Sequence, residues 1–177
     1  FNEATRKNKT SIKLWLSFIE FQDEHLKFGK TRGTKPTIEK KIAIYKAALK
    51  ANPHSEDLLL GYLQCCEQIE EPKKVMIKWR KTIASHPGSP FLWKYYLDYT
   101  RSNFENFSVQ MLRDVYSRAV QVLTSQKMVY NEGHSKHRAM EERTLEVITG
   151  AATVEKQAGY QERAFAILQA MLEITCQ

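Results

Sequence analysis

Apolar residues recur at helical spacing along the whole chain, and they recur in paired segments. Trp15, Phe18 and Phe21 stand at i, i+3 and i+6 beside Leu14 and Leu26, the broad stripe of an amphipathic helix opened by Thr10 or Ser11. The same register returns at Leu59, Tyr62 and Cys65, at Trp93, Tyr96 and Tyr99, and more weakly at Ile148, Ala151 and Val154. A second apolar segment follows each: Ala43 to Leu49 around Tyr45, Ile77 to Ile83 around Trp79, Val115 to Leu123 around Tyr116, and Ala166 to Leu172. No long window alternates with period two, so strands do not compete. A lone helical hairpin cannot bury its own apolar face, and self-similarity at a period of roughly 20–50 residues therefore predicts stacked hairpins. The expected fold is all-α, an α-solenoid of antiparallel helix pairs.

Two landmarks share one period. Asn52-Pro53 and His86-Pro87 close successive second segments 34 positions apart, and Leu59 and Trp93 are separated by the same 34. Trp15 and Leu59 lie 44 apart, the first pair carrying an extra loop. Proline prevents continuation, and Ser55 and Ser89 are placed to cap the next helix. The predicted units are 11–53, 55–87, 89–123 and 143–174. Phe1, Ala4 and Asn8 fall where Tyr45, Ala48 and Asn52 would sit one step earlier, so 1–9 reads as the end of a preceding repeat helix and the chain as an excised piece of a longer array. Rings of one helix are expected to sit over Ala43, Ala47 and Ala48 of its partner. The segment from Thr124 to Arg143, with Gly133, two histidines and mixed charge, reads as a long mobile loop with room for one short helix.

At 177 residues and 42% apolar content the chain suits one domain with a continuous core. Its longest apolar run, Leu58 to Leu63, is far short of the roughly 20 residues that span a bilayer, and no leader opens the chain, so a soluble protein is expected. Three cysteines, two of them the neighbours Cys65 and Cys66, make no disulfide framework and point to a reducing compartment. One of those neighbours should be packed and the other near the surface.

Charge changes the picture more. Residues 1–50 hold 12 basic against 5 acidic residues and carry the entire net charge of +7. The insertion from His25 to Thr37 places Lys27, Lys30, Arg32 and Lys35 on a glycine-containing loop, which suits a phosphate or an acidic partner as well as plain solvation. Lys74, Lys78 and Lys81, spaced i, i+4 and i+7, would form a basic stripe on one helix face.

Catalytic chemistry finds no foothold. Gly29-Lys30-Thr31 ends like a phosphate-binding loop, but that motif needs a glycine where Glu24 stands and a preceding strand. His134 and His137 have ligand spacing with only Glu141 to assist, and read as solvated loop histidines. The pairs Asp23-Glu24, Glu56-Asp57 and Glu141-Glu142 suit helix ends and lack a convergent nucleophile. Neither an enzyme nor a cofactor, metal or small-molecule substrate is expected. The rings of Trp15, Tyr96 and Tyr99 are spaced for a core rather than for stacking on bases.

A first helix reading Trp-x-x-aromatic-x-x-aromatic, followed by a second reading Ile-Tyr-Lys-Ala-Ala-Leu and closing Asn-Pro, resembles the half-a-TPR (HAT) repeat. Phe1-Asn2 with the run from Leu14 to Glu24, and Gln157-Ala158-Gly159-Tyr160 with Ala166 to Leu172, resemble the nuclear RNAi defective two (NRDE-type) family. That resemblance implies a non-catalytic scaffold in the nucleus, with protein partners in nuclear RNA silencing, exosome-helicase or splicing assemblies. The helicase-contacting segment of that family precedes its repeats, so no such residues transfer here. Leu59 in place of Trp, and Cys66 and Thr100 in place of an acidic residue, depart from the repeat pattern. A direct RNA-binding α-solenoid, using the basic first half, and a cytoplasmic TPR-like peptide adaptor are the competing readings.

Overall fold

The computed structural model describes residues 2–27, 35–103, 108–127 and 134–175, and short turns separate the helices at 8–11, 52–55, 68–71, 86–89 and 158–160. Among the described residues every regular element is a helix: α1 (Asn2–Lys7), α2 (Ile12–Lys27), α3 (Lys35–Ala51), α4 (Glu56–Glu67), α5 (Pro72–Ser85), α6 (Pro90–Ser102), α7 (Val109–Lys127), α8 (His134–Gln157) and α9 (Gln161–Thr175). The chain divides into two compact units, Phe1–Thr82 and Ile83–Gln177. Among the described residues no helix is long and apolar enough to cross a membrane.

The sequence period is also a period of hydrogen bonds. The Ser11, Ser55 and Ser89 amides donate to the carbonyls of Asn8, Asn52 and His86 at 3.2, 3.3 and 3.3 Å. Each serine carbonyl then accepts from the residue four ahead, Trp15, Leu59 or Trp93, at 3.3, 3.0 and 3.1 Å. Ser55 and Ser89 also cap their helices, their hydroxyls accepting from the Leu58 and Leu92 amides at 3.5 and 3.1 Å. These bonds satisfy amides that a helix start leaves without an intrahelical partner. The Trp15 and Trp93 indoles lock the turn before them, donating to the carbonyls of Lys9 and Pro87, both at 2.8 Å.

In the first unit α2 packs against α1 and α3, and α3 against α4. Trp15, Phe18, Tyr45, Leu58, Leu63 and Trp79 are buried. The hydroxyl end of the Tyr45 ring lies against α4 where Gly61 has no side chain, and a Cβ there would come 2.5 Å from the Tyr45 Cζ. The rings therefore do not rest on an alanine stripe as the pattern suggested. Only Ala48 is buried, while Ala43 and Ala47 face outward. Phe21 also departs from its expected packing, at 38% exposed, whereas Tyr62 is half-buried.

In the second unit α8 packs on both α6 and α7 and then against α9, so the first helix of one pair touches both helices of the pair before it. That is the contact pattern by which a helical repeat covers the face its neighbour leaves open. Trp93, Tyr96, Tyr99 and Tyr116 are buried. Tyr116 repeats the glycine device more loosely, its hydroxyl 3.2 Å from where a Gly150 Cβ would stand.

Sealed positions explain Cys66 and Thr100, two of the departures from the repeat pattern. Leu58 and Leu92, Leu63 and Leu97, and Cys66 and Thr100 are equivalent at the 34-residue displacement, and all six are buried. An acidic side chain at Thr100 would be desolvated, a heavy cost for a charge that is not paired. Thr100 resolves its polarity locally, donating to the Tyr96 carbonyl at 2.8 Å. Cys65 and Cys66 are both buried, so neither is the surface cysteine expected.

Two loops are shorter than read. Thr124 to Lys127 continue α7 and His134 to Arg143 lie in α8, so most of the supposed long loop is helix. The helical period is hidden there because charged and polar residues crowd it. Likewise His25 to Lys27 belong to α2 and Lys35 to Thr37 to α3.

Candidate functional site

The basic stripe on α5 is only partly a surface. Lys78 precedes Trp79 as Ile44 precedes Tyr45 and Val115 precedes Tyr116, so its stem occupies an apolar register and its ammonium must find partners inside the hairpin. It donates to Glu70 Oε1 at 2.5 Å and to Cys66 Sγ at 3.2 Å, and lies 5.2 Å from the Tyr62 ring centroid. Burial alone would lower its pKa, but hydrogen bonds to Glu70, Cys66 and Tyr62 outweigh burial and push it upward. Burial pushes the Cys66 thiol up as well. A protonated amine beside a protonated thiol is a structural cluster, because nucleophilic catalysis needs the opposite shifts. Lys74 meets Glu71 at 3.4 Å in an exposed pair, and Lys81 is exposed. Glu70 and Glu71 precede α5 in the turn, which is why charges counted within the helix alone suggested an uninterrupted stripe.

Below the same hairpin, Trp79 Nε1 donates to Glu67 Oε1 at 2.9 Å. Burial raises the Glu67 carboxyl pKa, and this hydrogen bond opposes the rise.

The other sequence candidates are dispersed. Lys35 is exposed at the start of α3. Lys27 closes α2, with its side chain outside the described residues, and Lys30, Arg32 and the Gly29-Lys30-Thr31 run lie outside them entirely. His134 and His137 stand on α8 rather than on a loop, their side chains likewise outside the described residues. Among the described residues no cluster of three His, Cys, Asp or Glu could hold a metal ion.

The structure assembles a basic groove that sequence reading missed. Lys46 and Lys50 are one turn apart on α3, and Lys9 joins them from the turn before α2. The three lysines rim a groove of about 680 Å³ whose floor includes Ala43, Ala47 and Ala51, with Trp15 and Thr5 completing the wall. Asn52 holds the turn in place, its side-chain amide donating to the Lys9 carbonyl at 2.9 Å. The available signal was the interleaving of two i, i+4 series on α3, alanines at 43, 47 and 51 and lysines at 46 and 50. The apolar pattern places Ala43 and Ala47, with Ala48, in the core instead.

A second groove, of about 670 Å³, runs among α7, α8 and α9 in the other unit. Tyr116, Val120, Ile148, Val154, Ile167 and Met171 give it an apolar lining. Arg113 and Glu155 join α7 to α8 at its edge through two parallel bonds, Nε to Oε1 at 2.6 Å and Nη2 to Oε2 at 2.8 Å. The Arg113 hydrogen bond holds the Glu155 carboxyl below its ordinary pKa. The Arg113 guanidinium also lies 4.3 Å from the Tyr160 ring centroid. Phe165 and Leu172 on α9 are 70% and 59% exposed.

Comparison with known proteins adds a family to this geometry. A family model described as "NRDE-2, necessary for RNA interference" matches residues 1–177. The proteins named nuclear exosome regulator NRDE2 of Homo sapiens and Mus musculus are each 30% identical to 99% of this chain, which spans 16% of their length. The Dictyostelium discoideum protein of the same name is 25% identical over 99% of this chain and 14% of its own. Among solved structures, a crystal structure of MamA aligns with 79% of this chain and 90% of its own at 20% identity and a TM-score of 0.36.

Proposed function

The chain belongs to the NRDE-2 family, and from that premise we propose that it is a non-catalytic nuclear scaffold, presenting helical surfaces to protein partners in RNA-guided silencing and in RNA processing or surveillance. The family match along the full 177 residues carries this reading. The name nuclear exosome regulator, borne by relatives in three organisms, supports residence in the nucleus and points to exosome-linked or splicing assemblies as partners. The chemistry agrees with a surface role: Lys78 is hydrogen-bonded to Cys66 and Glu70, and among the described residues grooves run between helices in each unit. The repeats of this scaffold would be the pairs at 11–53, 55–87, 89–123 and 143–174.

A tagged chain incubated in nuclease-treated nuclear extract tests the proposal. RNA-processing proteins should be retained on it after digestion of RNA. Retention of cytosolic chaperones or peptide-bearing clients alone would favour a peptide adaptor, and loss of every partner on digestion would favour direct RNA binding. The latter reading draws on the +7 charge of residues 1–50.

A further inference from the structure

We propose that the groove rimmed by Lys9, Lys46 and Lys50 is a docking site for an acidic amphipathic helix of a protein partner, an inference that rests on the scaffold reading above. Among the described residues no acidic side chain lines the groove, and none of the three lysines belongs to the ion pairs seen there. Lys46 and Lys50 are exposed on the α3 surface, and Lys9 is exposed in the turn before α2. Charge complementarity therefore calls for carboxylates or phosphates on the occupant.

The floor decides between them. Ala43, Ala47 and Ala51 recur at i, i+4 and i+8 on one side of α3, and Ala43 and Ala47 are exposed. Small side chains let another backbone approach closely, and an apolar floor favours a partner with an apolar stripe of its own, the helix-in-groove mode of recognition. Single-stranded RNA seeks aromatic faces on which bases stack. The aromatic at this groove, Trp15, is buried and its indole N–H is already committed to the Lys9 carbonyl. An acidic helix laid here would place apolar residues at i, i+4 and i+7 on the alanines and Asp or Glu beside the lysine rim.

Sequence selection tests this without knowledge of the natural partner. A displayed library of random 20-residue peptides is selected on the 177-residue chain and counter-selected on a Lys9→Glu, Lys46→Glu, Lys50→Glu variant. Enriched peptides should carry net negative charge with helical apolar spacing. Their affinity should fall at least tenfold on charge reversal, survive Lys→Arg replacement at the same positions, and weaken with salt. Ala47→Trp, which fills the floor without touching charge, should also abolish binding. Circular dichroism and melting temperature of the charge-reversed chain should match those of the wild type, since the altered residues are exposed. Failure to enrich any peptide, enrichment without acidic bias, insensitivity to charge reversal, or tighter binding of a 20-nucleotide single-stranded RNA through the same lysines would overturn the proposal. Nuclear partners retained equally by the charge-reversed chain would sink this groove and leave the scaffold reading standing. Absence of nuclear partners from the wild-type chain would sink the scaffold itself.

Discussion

Replacing Gly61 and Gly150 with alanine should produce opposite effects, although both glycines lie inside helices. Alanine is favoured over glycine in a helix interior by about 0.8–1 kcal/mol, so each substitution begins with the same gain. At Gly61 the new methyl would fall 2.5 Å from Tyr45 Cζ and 2.7 Å from Cε1, atoms of a ring wedged between α3 and α4. Overpacking of that kind costs about 1–3 kcal/mol, which leaves Gly61→Ala destabilised by up to about 2 kcal/mol. At Gly150 the nearest Tyr116 atoms stand 3.2 and 3.4 Å away, and a shift of a few tenths of an ångström admits the methyl. Gly150→Ala should therefore gain most of its propensity term. For a chain of this size about 1 kcal/mol moves the melting temperature by roughly 2–4 °C, within reach of a thermal scan followed by circular dichroism. A double-mutant cycle isolates the cause. In a Tyr45→Ala background the Gly61→Ala change should become stabilising, because the ring it struck is gone. If Gly61→Ala stabilises the otherwise unaltered chain as much as Gly150→Ala does, Tyr45 does not rest on Gly61 and the register of α3 against α4 is wrong.

Other perturbations read other contacts. Trp93→Ala should cost about 3–5 kcal/mol in urea denaturation as a buried ring is deleted, and Trp93→Phe should cost less, about 0.5–1.5 kcal/mol for the lost bond to Pro87 with the loss of ring volume added to it. Lys78→Met should cost about 1–2 kcal/mol, between the exposed and buried ion-pair ranges, and Lys78→Met with Glu70→Met should recover most of it, which denaturation of the three variants would show. The Arg113 hydrogen bond holds the Glu155 carboxyl below its ordinary value, so its contribution is complete above the ordinary carboxylate range and is lost as pH falls through the lower folded value. The melting-temperature gap between wild type and Glu155→Gln should accordingly be widest at neutral pH and close on acidification through and below the ordinary carboxylate range; a gap that widens in acid would contradict the assignment.

The apolar period was legible because it is written in bulky side chains: Trp15, Trp93, Tyr96 and Tyr116 are buried as their spacing implied. The turns Asn52-Pro53-His54-Ser55 and His86-Pro87-Gly88-Ser89 announced themselves because proline and a serine cap have few other uses in that order. What failed was partner choice. Phe21 follows the register yet is 38% exposed, and Ala43 and Ala47 follow the α3 face that was assigned to the core yet line a groove. Periodicity locates a stripe, but its width depends on the neighbouring helix. Lys78 was misjudged for a related reason: its meaning lies in Glu70 and Cys66, which α4 and the turn bring to it across the hairpin. The Lys9, Lys46 and Lys50 groove joins residues from two sides of an entire helix pair, a proximity that no local window reveals.

Fluorescence titration of a labelled single-stranded RNA across a salt series separates a chain that addresses proteins, as proposed, from one that addresses nucleic acid. Weak binding that disappears by physiological ionic strength is expected, because the clustered lysines have no stacking faces beside them. Sub-micromolar affinity at physiological salt, with a steep linear fall of log affinity against log salt, would contradict that proposal and make the basic first unit an RNA-binding surface.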